Sequence, residues 1–166
     1  MSTLLLEDED ESRKEVTLGR QALSFSAHAL LALCAWIALM LVGYLLEPKN
    51  PPQAAISAAS LLVPLLLGFL VNRVRQAEMA TMVWLLGVGW FMIAALWIVD
   101  MPTGPSQCIN CVISEKISRT FFSIPGPSGL LDDDGPFLAT WPAAALVGYA
   151  IGARLAMKKL PLATSF

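Results

Sequence analysis

The sequence predicts an all-α integral membrane protein: a four-helix bundle with a short amphipathic surface helix between the third and fourth spans. Three observations lead there. Charged residues make up only 14% of the 166-residue chain and hydrophobic ones 56%, whereas soluble domains carry about 25% charged residues. The stretch 80–99 holds no charged residue, and a helix of roughly 20 apolar residues matches the ~30 Å hydrocarbon core of a bilayer. Three other apolar runs, 22–46, 54–74 and 137–157, resemble it. The expected organisation is a polar acidic tail, 1–21, a four-span membrane domain, 22–159, and a short C-terminal tail, 160–166.

The tail carries Glu7-Asp8-Glu9-Asp10-Glu11, with Arg13, Lys14 and Arg20 after it. Five like charges in a row repel one another and favour a solvated segment, and the part after Ser12 is suited to run as helix into the first span. A cleavable signal would begin with a basic segment instead, so the first span is expected to be an uncleaved anchor. That span contains His28, shallow in the membrane, and Cys34. An ionisable residue in a span is a functional candidate, but interfacial hydrogen bonding explains one at this depth equally well. Cys34 is expected to serve as a small apolar packing residue.

Three prolines in the connection 47–53 end one helix and delay the next, and so short a link makes the two spans antiparallel neighbours. Pro64 falls in the middle of the second span. It removes a backbone hydrogen bond; Ser57 and Ser60, nearer the start, are candidates to supply a hydroxyl to the freed carbonyl or to bond across helices. Asn72, Arg73 and Arg75 mark the far interface. In the third span Trp84 and Trp97 fall near the two ends, as in an aromatic belt. Gly87 and Gly89 give room for close helix approach.

The long connection 100–136 contains a helical pattern between its prolines and glycines. Ile109, Ile113, Ile117 and Phe121 recur at steps of four, Glu115 and Arg119 are similarly spaced, and Ser106 suits the N-cap. This predicts an amphipathic helix over 106–124, lying on the membrane or capping the bundle. In the fourth span Trp141 is expected to anchor the first turn. Ala144, Gly148, Gly152 and Ala156 form a stripe of small residues at steps of four, including a GxxxG match. Such a stripe lets two helix backbones approach closely in lipid. It suits packing inside this bundle better than contact with another subunit.

Basic residues favour the cytoplasmic side. With four spans, Arg13, Lys14, Arg20, Arg73, Arg75, Arg154, Lys158 and Lys159 share one side, against Lys49, Lys116 and Arg119 on the other. Both termini are therefore expected in the cytoplasm and the loop 100–136 outside an inner or plasma membrane.

Cys108-Ile-Asn-Cys111 in that loop is the one constellation with possible chemistry. Three readings compete: a thiol–disulfide redox pair whose thiolate is favoured at a helix start, a static disulfide, and half of a metal site. Zinc needs three or four ligands, and no other Cys or His is expected on that face, so no metal is assigned. Val112 stands where c-type haem attachment needs histidine. The helix count and the outward CxxC resemble membrane thiol oxidoreductases of the vitamin K epoxide reductase type. There the active pair opens the last core helix and an earlier outward loop holds a second pair. Here Cys108 and Cys111 precede a separate helix and 47–53 has no cysteine, so no residue role is carried over.

Asp132-Asp133-Asp134-Gly135 lacks the alternation and closing Glu of a calcium loop. No nucleotide-binding, metalloprotease or serine-hydrolase motif occurs, and no cofactor is expected. The net charge of −2 gives no basic surface for nucleic acid. No Asp, Glu, Lys or Arg is expected at mid-bilayer depth and no clear repeat occurs, which argues against a channel or pump. The expected function is that of an accessory or assembly subunit. Its partners are the lipid bilayer and other membrane subunits met through the span-four stripe or the outward loop. The alternative is an outward-facing thiol–disulfide oxidoreductase.

Overall fold

A computed structural model describes residues 2–46, 53–100, 112–122 and 140–157, and these are helical apart from short turns. The elements are α1 (Ser2–Leu46), α2 (Gln53–Val74), a 3-10 turn (Glu78–Met82), α3 (Trp84–Asp100), α4 (Ile113–Phe122) and α5 (Trp141–Ala156). Among the described residues three segments are long and apolar enough to cross a membrane: Thr17–Leu45, Ala55–Val74 and Glu78–Trp97.

α1 departs from the expected boundary. One helix runs from Ser2, through the acidic stretch, to Leu46. The tail therefore shares a continuous backbone hydrogen-bond ladder with the first span. The third span also opens differently. A 3-10 turn, Glu78–Met82, precedes α3, and Leu86 N donates to the Val83 carbonyl where the two meet.

Named contacts fix the helix directions. Gly43 near the end of α1 faces Ile56 near the start of α2, and residues 20–31 face 71–77, so α1 and α2 are antiparallel. Trp141, Gly148 and Gly152 of α5 meet Ser57, Leu61 and Leu65 of α2 in the same order. α2 and α5 are thus parallel. Gly87 meets Ala143, Leu146 and Val147, while Phe91 lies at the level of Phe121, whose carbonyl accepts the Thr140 hydroxyl. α3 therefore runs against α5. Successive long helices alternate in direction, and Arg20, Arg73, Arg75 and Arg154 fall at one end.

α5 is the central helix, with ten buried residues from Trp141 to Ala153. Its main neighbour is α2. A Cβ added at Gly148 would collide with the Leu61 carbonyl oxygen, one at Gly152 with that of Leu65, and one at Gly68 with that of Tyr149. Both helices contribute glycine, so the backbones touch with no side chain between them. On α2, Ile56, Ser60, Pro64, Gly68 and Asn72 are all buried, one stripe at steps of four. Leu62, Leu66 and Leu70, offset by half a turn, are 54%, 59% and 59% exposed. This helix buries its small and polar residues and presents its large apolar ones outward, the reverse of a helix on a soluble domain.

α4 uses half of its apolar stripe. Phe121 is buried against Phe91, with Ile117, Ala94 and Ala95 packed around it, whereas Ile113 is exposed. Two other expectations change, at Cys34 and Gly89. Cys34 is exposed: Ala29 and Ala32 take the buried face of α1, and two positions beyond Ala32 the helix has turned to the opposite side. Gly89 has open space beside it, so Gly87 alone mediates close approach. Trp141, in the first turn of α5, is buried, its indole N–H donating to Ser57 Oγ at 2.7 Å. The Ser60 hydroxyl donates to the Ile56 carbonyl at 2.7 Å, one turn before the carbonyl that Pro64 leaves unpaired.

Candidate functional site

The described polar side chains converge at the end of the bundle where α2 gives way to the 3-10 turn. Asn72 closes the α2 stripe and is fully buried. An amide in such a place must satisfy two N–H donors and one carbonyl. Its Nδ2 donates to the Gly68 carbonyl at 3.0 Å, and its Oδ1 accepts from Ala77 N at 3.3 Å. Asn72 is also a side-chain hydrogen-bond partner of Tyr149. It thereby ties the end of α2 to the following turn and to α5.

Tyr149 has no exposed surface. Glycines at 148 and 152 bring α5 close enough to α2 for the ring to lie between helices. Its hydroxyl is 2.7 Å from His28 Nδ1 on α1, across 121 residues of sequence, and the two ring centroids are 5.7 Å apart. One proton is shared between the Tyr149 hydroxyl and His28 Nδ1, and which of the two donates is set by the tautomer of the ring. Ala29, Ala32, Ala80, Val83 and Leu146 pack around the trio. Small residues on α1 and the 3-10 turn let these elements close over the phenol.

The chemistry open to this cluster is hydrogen bonding that joins α1, α2 and α5. No group of three His, Cys, Asp or Glu able to hold a metal occurs among the described residues. Of the residues singled out from sequence, Gly148 and Gly152 lie at the α2 contact, while Ala144 and Ala156 are only half-buried at its margins. Cys108 and Cys111 lie outside the described residues, as does Ser106.

His28 was visible in the sequence as an ionisable residue in a span. Its partners were not singled out. Tyr149 is a polar group inside the GxxxG match, and that adjacency was the available signal. Asn72 stands among interfacial arginines and reads there as a boundary marker.

No protein-family model, curated protein or solved structure matches the chain.

Proposed function

We propose that this chain is a four-span membrane protein that serves as a non-catalytic accessory or assembly subunit of a membrane complex. The observation that carries the reading is the use made of the buried polar groups. Asn72, Tyr149, His28, Ser60 and the Trp141–Ser57 pair bond to neighbouring helices or to their own backbone. An interior so engaged is a scaffold.

The outward apolar face of α2 supports lipid as its solvent. So does the alternation of helix directions, in which α5 takes the place of a fourth span. Its 16 described residues amount to about 24 Å of helix, and 137–139 add to it in the sequence reading. Because Gly148 and Gly152 already face α2, the surface offered to partners is the loop 100–136 with α4. Isolation of the native complex in mild detergent tests this, with co-purifying subunits as the expected outcome. A monomer from its native membrane with no associated protein would count against it.

The second reading is an outward-facing thiol–disulfide oxidoreductase. α4 begins two residues after Cys111 and is docked through Phe121, which supports a cysteine pair set beside a fixed helix. In this reading Cys108 forms the mixed disulfide and Cys111 resolves it. A substrate disulfide becomes a dithiol as the Cys108 and Cys111 thiols become a disulfide. Titration against a glutathione buffer discriminates, since a potential below about −300 mV marks a structural disulfide.

A further inference from the structure

Arg20, Ser24 and His28 fall at steps of four on α1 and share one face. They form one wall of an open cleft of about 680 Å³. The opposite wall is Val71 of α2 with Arg75 and Gln76 of the turn that follows it, and Leu31 lies on the apolar side. The volume is in the ordinary range of ligand sites, ~300–1,000 Å³. No carboxylate is among the described residues that line it. Among the residues whose side chains are described, neither guanidinium has an ion-pair partner. Arg73, two residues from Arg75, is directed elsewhere, over the Phe69 ring at 5.9 Å.

The polar lining is rich in donors. The two guanidiniums offer planar forks of N–H groups, and Ser24 and Gln76 add a hydroxyl and an amide. Tyr149 occupies Nδ1 of His28, which leaves Nε2 as the ring nitrogen for the cleft. A multivalent oxyanion is the complement of such a set, and two arginines facing each other suit a phosphate. The apolar side supplied by Leu23, Leu31 and Val71 fits a phosphate that carries a hydrocarbon chain.

We propose that this cleft is a phosphate site, with the phosphodiester of an anionic lipid headgroup as its ligand. The lipid as source rests on the membrane reading above; the phosphate chemistry rests on Arg20 and Arg75 alone. Cytoplasm-facing basic pockets between spanning helices commonly take such headgroups.

The test is native mass spectrometry of the full chain in mild detergent with equal amounts of phosphatidylglycerol and phosphatidylcholine. The two lipids share the phosphodiester, but choline places a cation beside the arginines. Wild type is expected to retain phosphatidylglycerol in preference. Arg20→Gln and Arg75→Gln are each expected to lower that retention by about tenfold, the usual worth of a charge-assisted hydrogen bond, and Arg73→Gln to keep it. Both arginines are exposed, so the fold is retained. Displacement of the lipid by inorganic phosphate at similar concentration would support the site and assign it to free phosphate. Equal retention of both lipids by wild type, without phosphate binding, would overturn the proposal, as would an equal loss in Arg73→Gln. Release of the chain from native membranes by alkaline carbonate would sink the membrane reading instead, and the phosphate titration would then decide the site alone.

Discussion

A methyl group at Gly152 has nowhere to go. It would meet the Leu65 carbonyl oxygen, with Phe69 N 2.8 Å away, and backbone atoms cannot rotate aside as a side chain can. Overpacking typically costs ~1–3 kcal/mol, and Gly152→Ala is expected at or above the top of that range, read as lowered thermal stability in detergent. Gly89→Ala, into open space within a helix, should be neutral or slightly stabilising. The same contrast applies to polar groups. Tyr149→Phe keeps the ring and removes the partner of His28, and a buried unpaired group costs ~1–3 kcal/mol. A double-mutant cycle with His28→Ala is expected to give a coupling of about 0.5–1.5 kcal/mol. A coupling of zero would mean that the 2.7 Å contact contributes nothing to stability.

At the scale of elements, Asn72 joins α2 to the turn that starts the third span. Asn72→Ala leaves the Ala77 N–H without its acceptor. The expected cost is about 2 kcal/mol or more, with faster hydrogen exchange at 76–80 as the local signature. The sequence revealed these elements unevenly. Gly148 and Gly152 were legible because a spacing of four between glycines has one main physical use in an apolar helix. The matching stripe on α2 was hidden because it mixes Ile, Ser, Pro, Gly and Asn, which share neither a residue type nor a polarity. Trp141 was legible as an anchor of the first turn but its partner was not: an aromatic at a helix start fits that role whether it faces lipid or, as here, Ser57. Cys34 shows that residue type says little about which side of α1 faces inward, since Ala29 and Ala32 settle that. The His28–Tyr149 bond was out of reach because its two ends are set by helix packing, not by local spacing.

For the whole molecule, the alternating helix directions put Arg20, Arg75 and Arg154 at one end and the α4 side at the other. In the four-span reading, a membrane-impermeant maleimide applied to intact cells after reduction should label Cys108 and Cys111 in a Cys34→Ser background. Single cysteines placed in 2–16 should stay unlabelled until the cells are opened. The reverse pattern would invert the proposed map and remove the redox reading with it.

The parallel pairing of α2 with α5 also sets a schedule. Gly68 and Tyr149 touch, yet about 80 residues of synthesis separate them, roughly 4–16 s at cellular translation rates. During that interval α2 has no Tyr149 to receive the Asn72 amide and no glycine face to lie against. Nascent chains arrested before residue 137 should therefore be the species that quality-control proteases remove, and supplying 137–166 as a separate polypeptide should rescue them.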